Sequence, residues 1–148
     1  MNGRIFVDTN VLVHAYDHSE PHKQHRALEV LDWLSISGAG MISTQVLAEF
    51  FVASTRKITA PLTVEEAYDR VKNYLLSWTV VNSTGMVVLE AVRGVRDHQL
   101  NFWDSQIWAA ARLNQASVVF SEDFNIGAVI EGVRFVNPFE DDFQVTDW

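Results

Sequence analysis

Short apolar segments alternate with longer segments of helical periodicity along most of the chain. Five short, β-prone runs predict strands, over residues 4–7, 41–43, 79–81, 117–120 and 133–136. Apolar residues at helical spacing predict helices between them, over 22–37, from Thr44, from Thr63 to about 77, from Ser83 or Thr84, and over 105–114. This alternation favours an α/β fold, a three-layer α/β/α sandwich whose central, mainly parallel sheet has about five strands.

Four acidic residues lie where these predicted elements begin or end. They are Asp8, Glu49, Asp104 and Asp123. Because the carboxyl ends of parallel strands meet at one edge of a sheet, we expect the four to converge. Clustered carboxylates repel one another, and a hard cation such as Mg²⁺ or Mn²⁺ relieves that repulsion. The set therefore predicts a metal-dependent enzyme.

Each acid taken alone has a structural interpretation. Asp8 begins Asp-Thr-Asn, a sequence common in turns, and Asp104 suits the amino terminus of a helix. Glu49 interrupts an apolar helical segment, where a charge near the core requires a partner. Asp123 follows Glu122, and periodicity does not decide which of the two acids points inward. The inference depends on the set of four and not on any single member.

The composition sets limits on the kind of protein. A chain of 148 residues has the size of one domain, which would span residues 1–148. We expect the acidic tail after about residue 139 to be partly mobile. The absence of cysteine excludes disulfides and zinc–thiolate sites. No apolar run is long enough for a membrane span, so we expect a cytoplasmic protein. The net charge of −8 argues against nonspecific attraction to nucleic acid, and the basic pairs Arg56-Lys57, Arg70/Lys72 and Arg93/Arg96 are better explained as solvated helix faces.

The order of four motifs resembles that of PIN-domain ribonucleases, especially the VapC-type toxins of bacterial toxin–antitoxin pairs. The motifs are Val7-Asp8-Thr9-Asn10, Leu47-Ala48-Glu49-Phe50 with Thr55-Arg56-Lys57, Phe102-Trp103-Asp104-Ser105, and Phe120-Ser121-Glu122-Asp123-Phe124. Gly127 and Val136-Asn137-Pro138-Phe139 extend the resemblance over almost the whole chain. Ser105 stands where the family more often has alanine, a change too small to affect the chemistry.

The resemblance implies a site, an activity and partners. Asp8, Glu49, Asp104 and Asp123 would be the catalytic and metal-binding acids, and Thr9, Asn10 and Ser121 the supporting polar groups. Apart from the resemblance, the basic pair Arg56 and Lys57, and Trp103 beside Asp104, are the candidate RNA contacts. With Mg²⁺ or Mn²⁺ bound, such a protein hydrolyses RNA phosphodiester bonds to 5′-phosphate and 3′-hydroxyl ends. The expected partners are RNA, a small antitoxin protein and a second copy of the chain, with no membrane.

Three other interpretations remain open from the residues. The acids can instead hold a structural ion in a non-catalytic RNA- or protein-binding module. A haloacid-dehalogenase-type phosphatase also places an Asp after its first strand, but it needs a second Asp where Asn10 stands. A histidine metal site is disfavoured because Pro21 interrupts the spacing of His14, His18, His22 and His25.

The tryptophans at 33, 78, 103 and 108 lie at positions that favour core packing over base stacking, with Trp103 as the best exception.

Overall fold

A computed structural model describes residues 3–148 and shows a six-stranded sheet with the order β3-β2-β1-β4-β6-β5. All neighbouring strands are parallel except β5 and β6, which are antiparallel. The strands are β1 (Arg4–Val7), β2 (Gly40–Ser43), β3 (Thr79–Val81), β4 (Ala116–Phe120), β5 (Val129–Ile130) and β6 (Val133–Val136). The predicted fold class, a mainly parallel sheet flanked by helices, is confirmed.

Within residues 3–148, six α-helices connect the strands, and most begin at a capping side chain. They are α1 (Thr9–His14), α2 (Pro21–Ser37), α3 (Thr44–Arg56), α4 (Val64–Ser77), α5 (Gly85–His98) and α6 (Phe102–Leu113). A capping box starts α4, because the Thr63 hydroxyl accepts from the Glu66 N–H and the Glu66 carboxylate accepts from the Thr63 N–H. No helix within the described residues combines the length and the apolar character that a membrane span requires.

The strand order separates the helices into two groups. The chain moves from β1 to β2 and β3 on one side, and then returns to β4 on the other side of β1. Because parallel crossovers are right-handed, connections that run in opposite directions along a sheet place their helices on opposite faces. The contacts agree: α1, α3 and α4 pack as a series, whereas α5 packs on α6 and α6 packs on β4 and β6.

The structure corrects three details of the predicted elements. Thr9 and Asn10 are not a polar turn but begin the short helix α1, whose Val11 and Leu12 are buried. The sheet has six strands and not about five, because the two-residue strand β5 pairs with β6 across a tight turn. Helix α6 begins at Phe102, so Asp104 lies within its first turn.

The core lies on both sides of the sheet and extends to the end of the chain. Its largest fully buried side chains include Trp108, Phe6, Phe50 and Phe120. In the acidic tail, the buried ring of Phe143 and the ring of Trp148 both contact Phe120 edge-on. Of the tryptophans expected in the core, Trp108 and Trp78 pack there, but Trp33 is 38% exposed on the outer side of α2.

Helices α5 and α6 approach each other closely at a glycine. A Cβ atom at Gly94 would collide with the Ser105 hydroxyl and would lie within 2.8 Å of the Trp108 ring. Ser105 is fully buried, and its hydroxyl donates a 2.7 Å hydrogen bond to the Ala91 carbonyl oxygen. Ser105 therefore joins the two helices and lies in the core.

We expect Gly94→Ala to destabilise the fold by about 1–3 kcal/mol, because the added methyl group has no space between α5 and α6. The matched control is Gly85→Ala at the start of α5, where a Cβ meets no atom within 4 Å; this change should be neutral or slightly stabilising. Urea denaturation of both variants measures the difference. Equal midpoints would contradict the close-packing argument.

Candidate functional site

A cleft of about 710 Å³ opens at the carboxyl ends of β1 and β4. These strands are neighbours in the sheet, although β2 and β3 come between them in the sequence. The cleft therefore lies at the point where the strand order reverses. All four predicted acids line it: Asp8, Glu49, Asp104 and Asp123. The cleft also includes Thr9, Asn10 and Glu122, whereas Ser121 is buried beneath it.

Asp8 is the buried member of the group, with 6% of its surface exposed. It follows β1 directly and caps α1, where one carboxylate oxygen accepts from the Thr9 N–H at 2.7 Å. The other oxygen accepts from the Ser121 hydroxyl at 2.8 Å. Burial raises the pKa of Asp8 to about 7, against the lowering effect of these two hydrogen bonds, and the carboxylates of Asp104 and Glu49 raise it further.

Asn10 connects the acids that follow β1 and β4. Its Nδ2 amide lies 3.0 Å from Asp123 Oδ2, 3.2 Å from Ser121 Oγ and 3.3 Å from Asp8 Oδ2. Its side-chain oxygen accepts weakly from the Glu122 N–H at 3.4 Å. The supporting polar groups expected from the sequence thus orient two of the acids, and one amide fixes the loop after β4 against α1.

Glu49 and Asp104 reach the cleft from two helices. Glu49, in α3, is half-buried and accepts from the Thr9 hydroxyl at 2.8 Å, so Thr9 is the partner that the apolar setting of this charge required. Asp104, in α6, has a pKa raised by burial and then by the neighbouring carboxylates of Asp123 and Glu49. Gln45 links the two helices, because its side-chain amide contacts Glu49 at 3.4 Å and the Trp103 carbonyl oxygen at 3.2 Å.

Glu122 and Asp123 face different partners. Asp123 lies with Asn10 in the acidic group, whereas Glu122 lies between His14 Nε2 at 2.7 Å and Lys23 Nζ at 2.9 Å. Burial alone would raise the pKa of Glu122, but the hydrogen bonds from Lys23 and His14 outweigh burial and hold that pKa below its usual value. Glu122 is therefore paired with the Lys23 ammonium and the His14 ring, whereas Asp123 has no basic partner among the described residues.

Among residues 3–148, none of the four acids forms an ion pair with a lysine, arginine or histidine. Their oxygens are the ligands that Mg²⁺ and Mn²⁺ prefer. Burial and the neighbouring carboxylates raise the pKa values of Asp8 and Asp104, and a bound cation would offset both effects. The donor set therefore fits a hard divalent ion.

Of the candidate RNA contacts, one lines the cleft and two do not. Lys57 lines the cleft, and Arg56 is exposed beside it at the end of α3. Trp103 is 59% exposed and precedes Asp104, but it lies outside the cleft lining. Arg93 is bound in ion pairs with Glu90, Asp97 and Glu131, which explains that basic group as structural.

Sequence reasoning missed a second polar group at the rim of the cleft. His14 does not meet His18, His22 or His25 as metal ligands; instead its ligand atom lies within 4.8 Å of those of Asp17 and Glu20. The sequence signal for this group is the spacing of three residues from His14 to Asp17 and again to Glu20. A spacing of three indicates neighbouring side chains only where the segment is helical, and the connection between α1 and α2 is not helical throughout.

Comparisons with known proteins identify the family of the chain. A family model described as PIN domain matches residues 5–131. No curated protein was found to be similar in sequence.

Several solved structures share the fold at low sequence identity. A sarcin–ricin-loop-cleaving toxin, VapC20 of Mycobacterium tuberculosis, is 21% identical, with a TM-score of 0.65 over 88% of this chain and 98% of that one. A toxin–antitoxin complex from Klebsiella pneumoniae is 19% identical, with a TM-score of 0.66 over 93% and 99% of the two chains. DNA-bound VapBC from Salmonella typhimurium is 15% identical, with a TM-score of 0.63 over 92% and 98%.

The matched family region contains strands β2 to β5, all of β1 except Arg4, and all four cleft acids. The chain belongs to the PIN domain family.

Proposed function

We propose that this chain is a metal-dependent ribonuclease and the toxin of a toxin–antitoxin pair. The observation that carries the proposal is the convergence of four carboxylates, from four separate parts of the chain, in one cleft without a basic partner among the described residues. Membership of the PIN domain family and the likeness in fold to a toxin described as cleaving the sarcin–ricin loop support the same conclusion.

Asp8, Glu49, Asp104 and Asp123 would hold one or more Mg²⁺ or Mn²⁺ ions. A divalent ion bound there supplies an activated water and offsets the charge that develops on a phosphate. The chain's own residues prepare this site: Ser121, Asn10 and Thr9 orient the carboxylates of Asp8, Asp123 and Glu49 by hydrogen bonds, so that little reorganisation of these three is needed when substrate enters.

Lys57 lines the cleft and Arg56 is the exposed residue before it at the end of α3, and we assign both to the RNA backbone. Neither side chain forms an ion pair with another described residue, so both are available to phosphates. The overall charge of −8 opposes the approach of RNA, and local cations at the cleft offset that repulsion. Hydrolysis is expected to leave 5′-phosphate and 3′-hydroxyl ends.

Protein partners are part of the proposal. The similar structures from Klebsiella pneumoniae and Salmonella typhimurium are described as a toxin–antitoxin complex and as VapBC. Helix α5 exposes Met86, Leu89 and Val92, an apolar surface that suits a protein interface. The acidic cleft would attract an Arg or Lys side chain of an inhibitor. We therefore propose a small antitoxin partner and a toxin homodimer.

Purified protein should cleave RNA when Mg²⁺ or Mn²⁺ is present and should stop when excess EDTA is added. Asp104→Asn should lower the cleavage rate by at least the ~10–100-fold seen when groups around a metal are altered. The control is Asp69→Asn, an exposed acid of α4 that should retain full activity. Sequencing of RNA ends after induced expression of both variants measures rate and cleavage site together.

Cleavage that persists in EDTA, or full activity in Asp104→Asn, would disprove the metal-dependent mechanism. If the wild-type chain binds RNA or protein without cutting RNA under any of these conditions, the non-catalytic module is the correct interpretation.

The free energy of unfolding without divalent ions should fall as pH rises from about 4 to 7. Unfolded Asp8 has a pKa of about 3.9, whereas folded Asp8 has a pKa of about 7, so the unfolded state loses its proton first and is favoured as pH rises. Urea denaturation at pH 5 and pH 8 in EDTA measures the effect. Asp8→Asn should flatten the dependence, whereas Asp69→Asn should not; an equal slope in Asp8→Asn would rule out Asp8 as its source.

Expression of the chain together with its neighbouring genes should yield a complex with a small protein that has a basic segment. Light scattering coupled to gel filtration should give a mass that contains two copies of the chain. A chain purified in this way as a monomer without any partner would contradict both parts of the proposal.

A further inference from the structure

We propose a second cation site, formed by His14, Asp17 and Glu20 at the rim of the cleft, that binds a transition metal such as Zn²⁺. This inference goes beyond the nuclease proposal, because none of the three residues belongs to the group of four acids. The three side chains each offer one ligand atom, and these atoms lie within 4.8 Å of one another.

The His14 ring has one unused nitrogen that points into this group. His14 is 8% exposed, and its Nδ1 atom is buried without any hydrogen-bond partner in the described part of the chain. Glu20 Oε2 lies 3.8 Å from this nitrogen, which is within ion-pair range but too far for a hydrogen bond. A buried nitrogen facing carboxylate oxygens across such a gap is well placed to be a metal ligand.

The opposite nitrogen of the ring is fixed by a carboxylate. His14 Nε2 donates to Glu122 Oε1 at 2.7 Å, and Lys23 donates to Glu122 Oε2 at 2.9 Å. Because Nε2 holds the proton in this bond, the neutral ring carries its lone pair on Nδ1. A carboxylate behind a histidine is the usual arrangement that orients a histidine toward a metal and increases its basicity.

The two carboxylates also have oxygens available. Asp17 uses Oδ1 to accept from the Ser19 N–H and hydroxyl at 3.0 and 2.7 Å, while no described residue donates to its Oδ2. Glu20 lies at the N-cap position of α2, but its side chain makes no capping hydrogen bond. Lys23 Nζ is 3.9 Å from Glu20 Oε1, whereas His14 faces the other oxygen, Oε2. One oxygen of each acid can therefore turn toward Nδ1.

The ligand types separate this site from the acidic cluster. Imidazole favours Zn²⁺ and related transition metals, whereas an all-carboxylate group favours Mg²⁺ or Mn²⁺. The two sites are connected through α1, since Asp8 caps the beginning of this helix and His14 is its last residue. A metal at the second site would join α1 to the start of α2 and hold the rim of the cleft.

The test uses the full chain in excess Mg²⁺, which occupies the acidic cluster, and titrates Zn²⁺ alone. Imidazole ¹⁵N NMR should show the Nδ1 resonance of His14 moving on addition of Zn²⁺, while the other four histidines do not respond. Calorimetry on Glu20→Gln should show Zn²⁺ affinity reduced by about tenfold or more. The matched control is Glu29→Gln, an exposed acid of the same helix, whose affinity should equal that of the wild type.

Glu20 is exposed, so its replacement should leave the fold intact, and circular dichroism verifies this. A His14 ring that carries protons on both nitrogens and does not respond to Zn²⁺ would overturn the proposal and define the group as a salt bridge. Equal Zn²⁺ affinity in Glu20→Gln and Glu29→Gln would overturn it as well. Because these measurements follow binding and not cleavage, their outcome is independent of whether the chain cuts RNA.

Discussion

The burial of the Asp8 carboxylate is the constraint on which the cleft depends. A carboxylate that is 6% exposed must have its oxygens satisfied, and the donors come from Thr9 and from Ser121, which follows β4. This requirement fixes the end of β4 beside the end of β1, and Asn10 then brings Asp123 to the same place. The remaining acids arrive on α3 and α6, whose positions are set by packing on the sheet.

Much of the fold was readable from the sequence, because strands buried on both faces leave short apolar runs that differ from amphipathic helices. The four acids at the ends of these elements could also be placed at one edge of the sheet. Helix α1 could not be predicted, since Asp-Thr-Asn is equally typical of a turn; burial of Val11 and Leu12 decides for the helix. Strand β5 exists only through its pairing with β6, next to Glu131 and Gly132 in left-handed conformations.

The details of the site depended on contacts between distant parts of the chain. The alternation of side-chain directions along a strand ends with its last residue, so the sequence did not predict which of Glu122 and Asp123 points into the cleft. The contacts of His14 and Lys23 with Glu122 distinguish the two acids. The burial argument for Glu49 was correct in requiring a partner, but Thr9 is 40 residues away in sequence. In the core, the hydrogen bond from Ser105 to Ala91 could not be predicted either, because the two residues are 14 positions apart and lie in different helices.

The neighbouring residues Glu122 and Asp123 serve two separate polar groups from one short loop. The position of each carboxylate therefore depends on the length of the loop as well as on its composition. A conservative substitution at either position disturbs one group, but the insertion of a single residue between Phe120 and Glu122 would shift both carboxylates by one position. The Glu122 carboxylate would then lie toward Asn10, and His14 would lose its acceptor. Tolerance to changes in loop length, usually high at a protein surface, should be close to zero here.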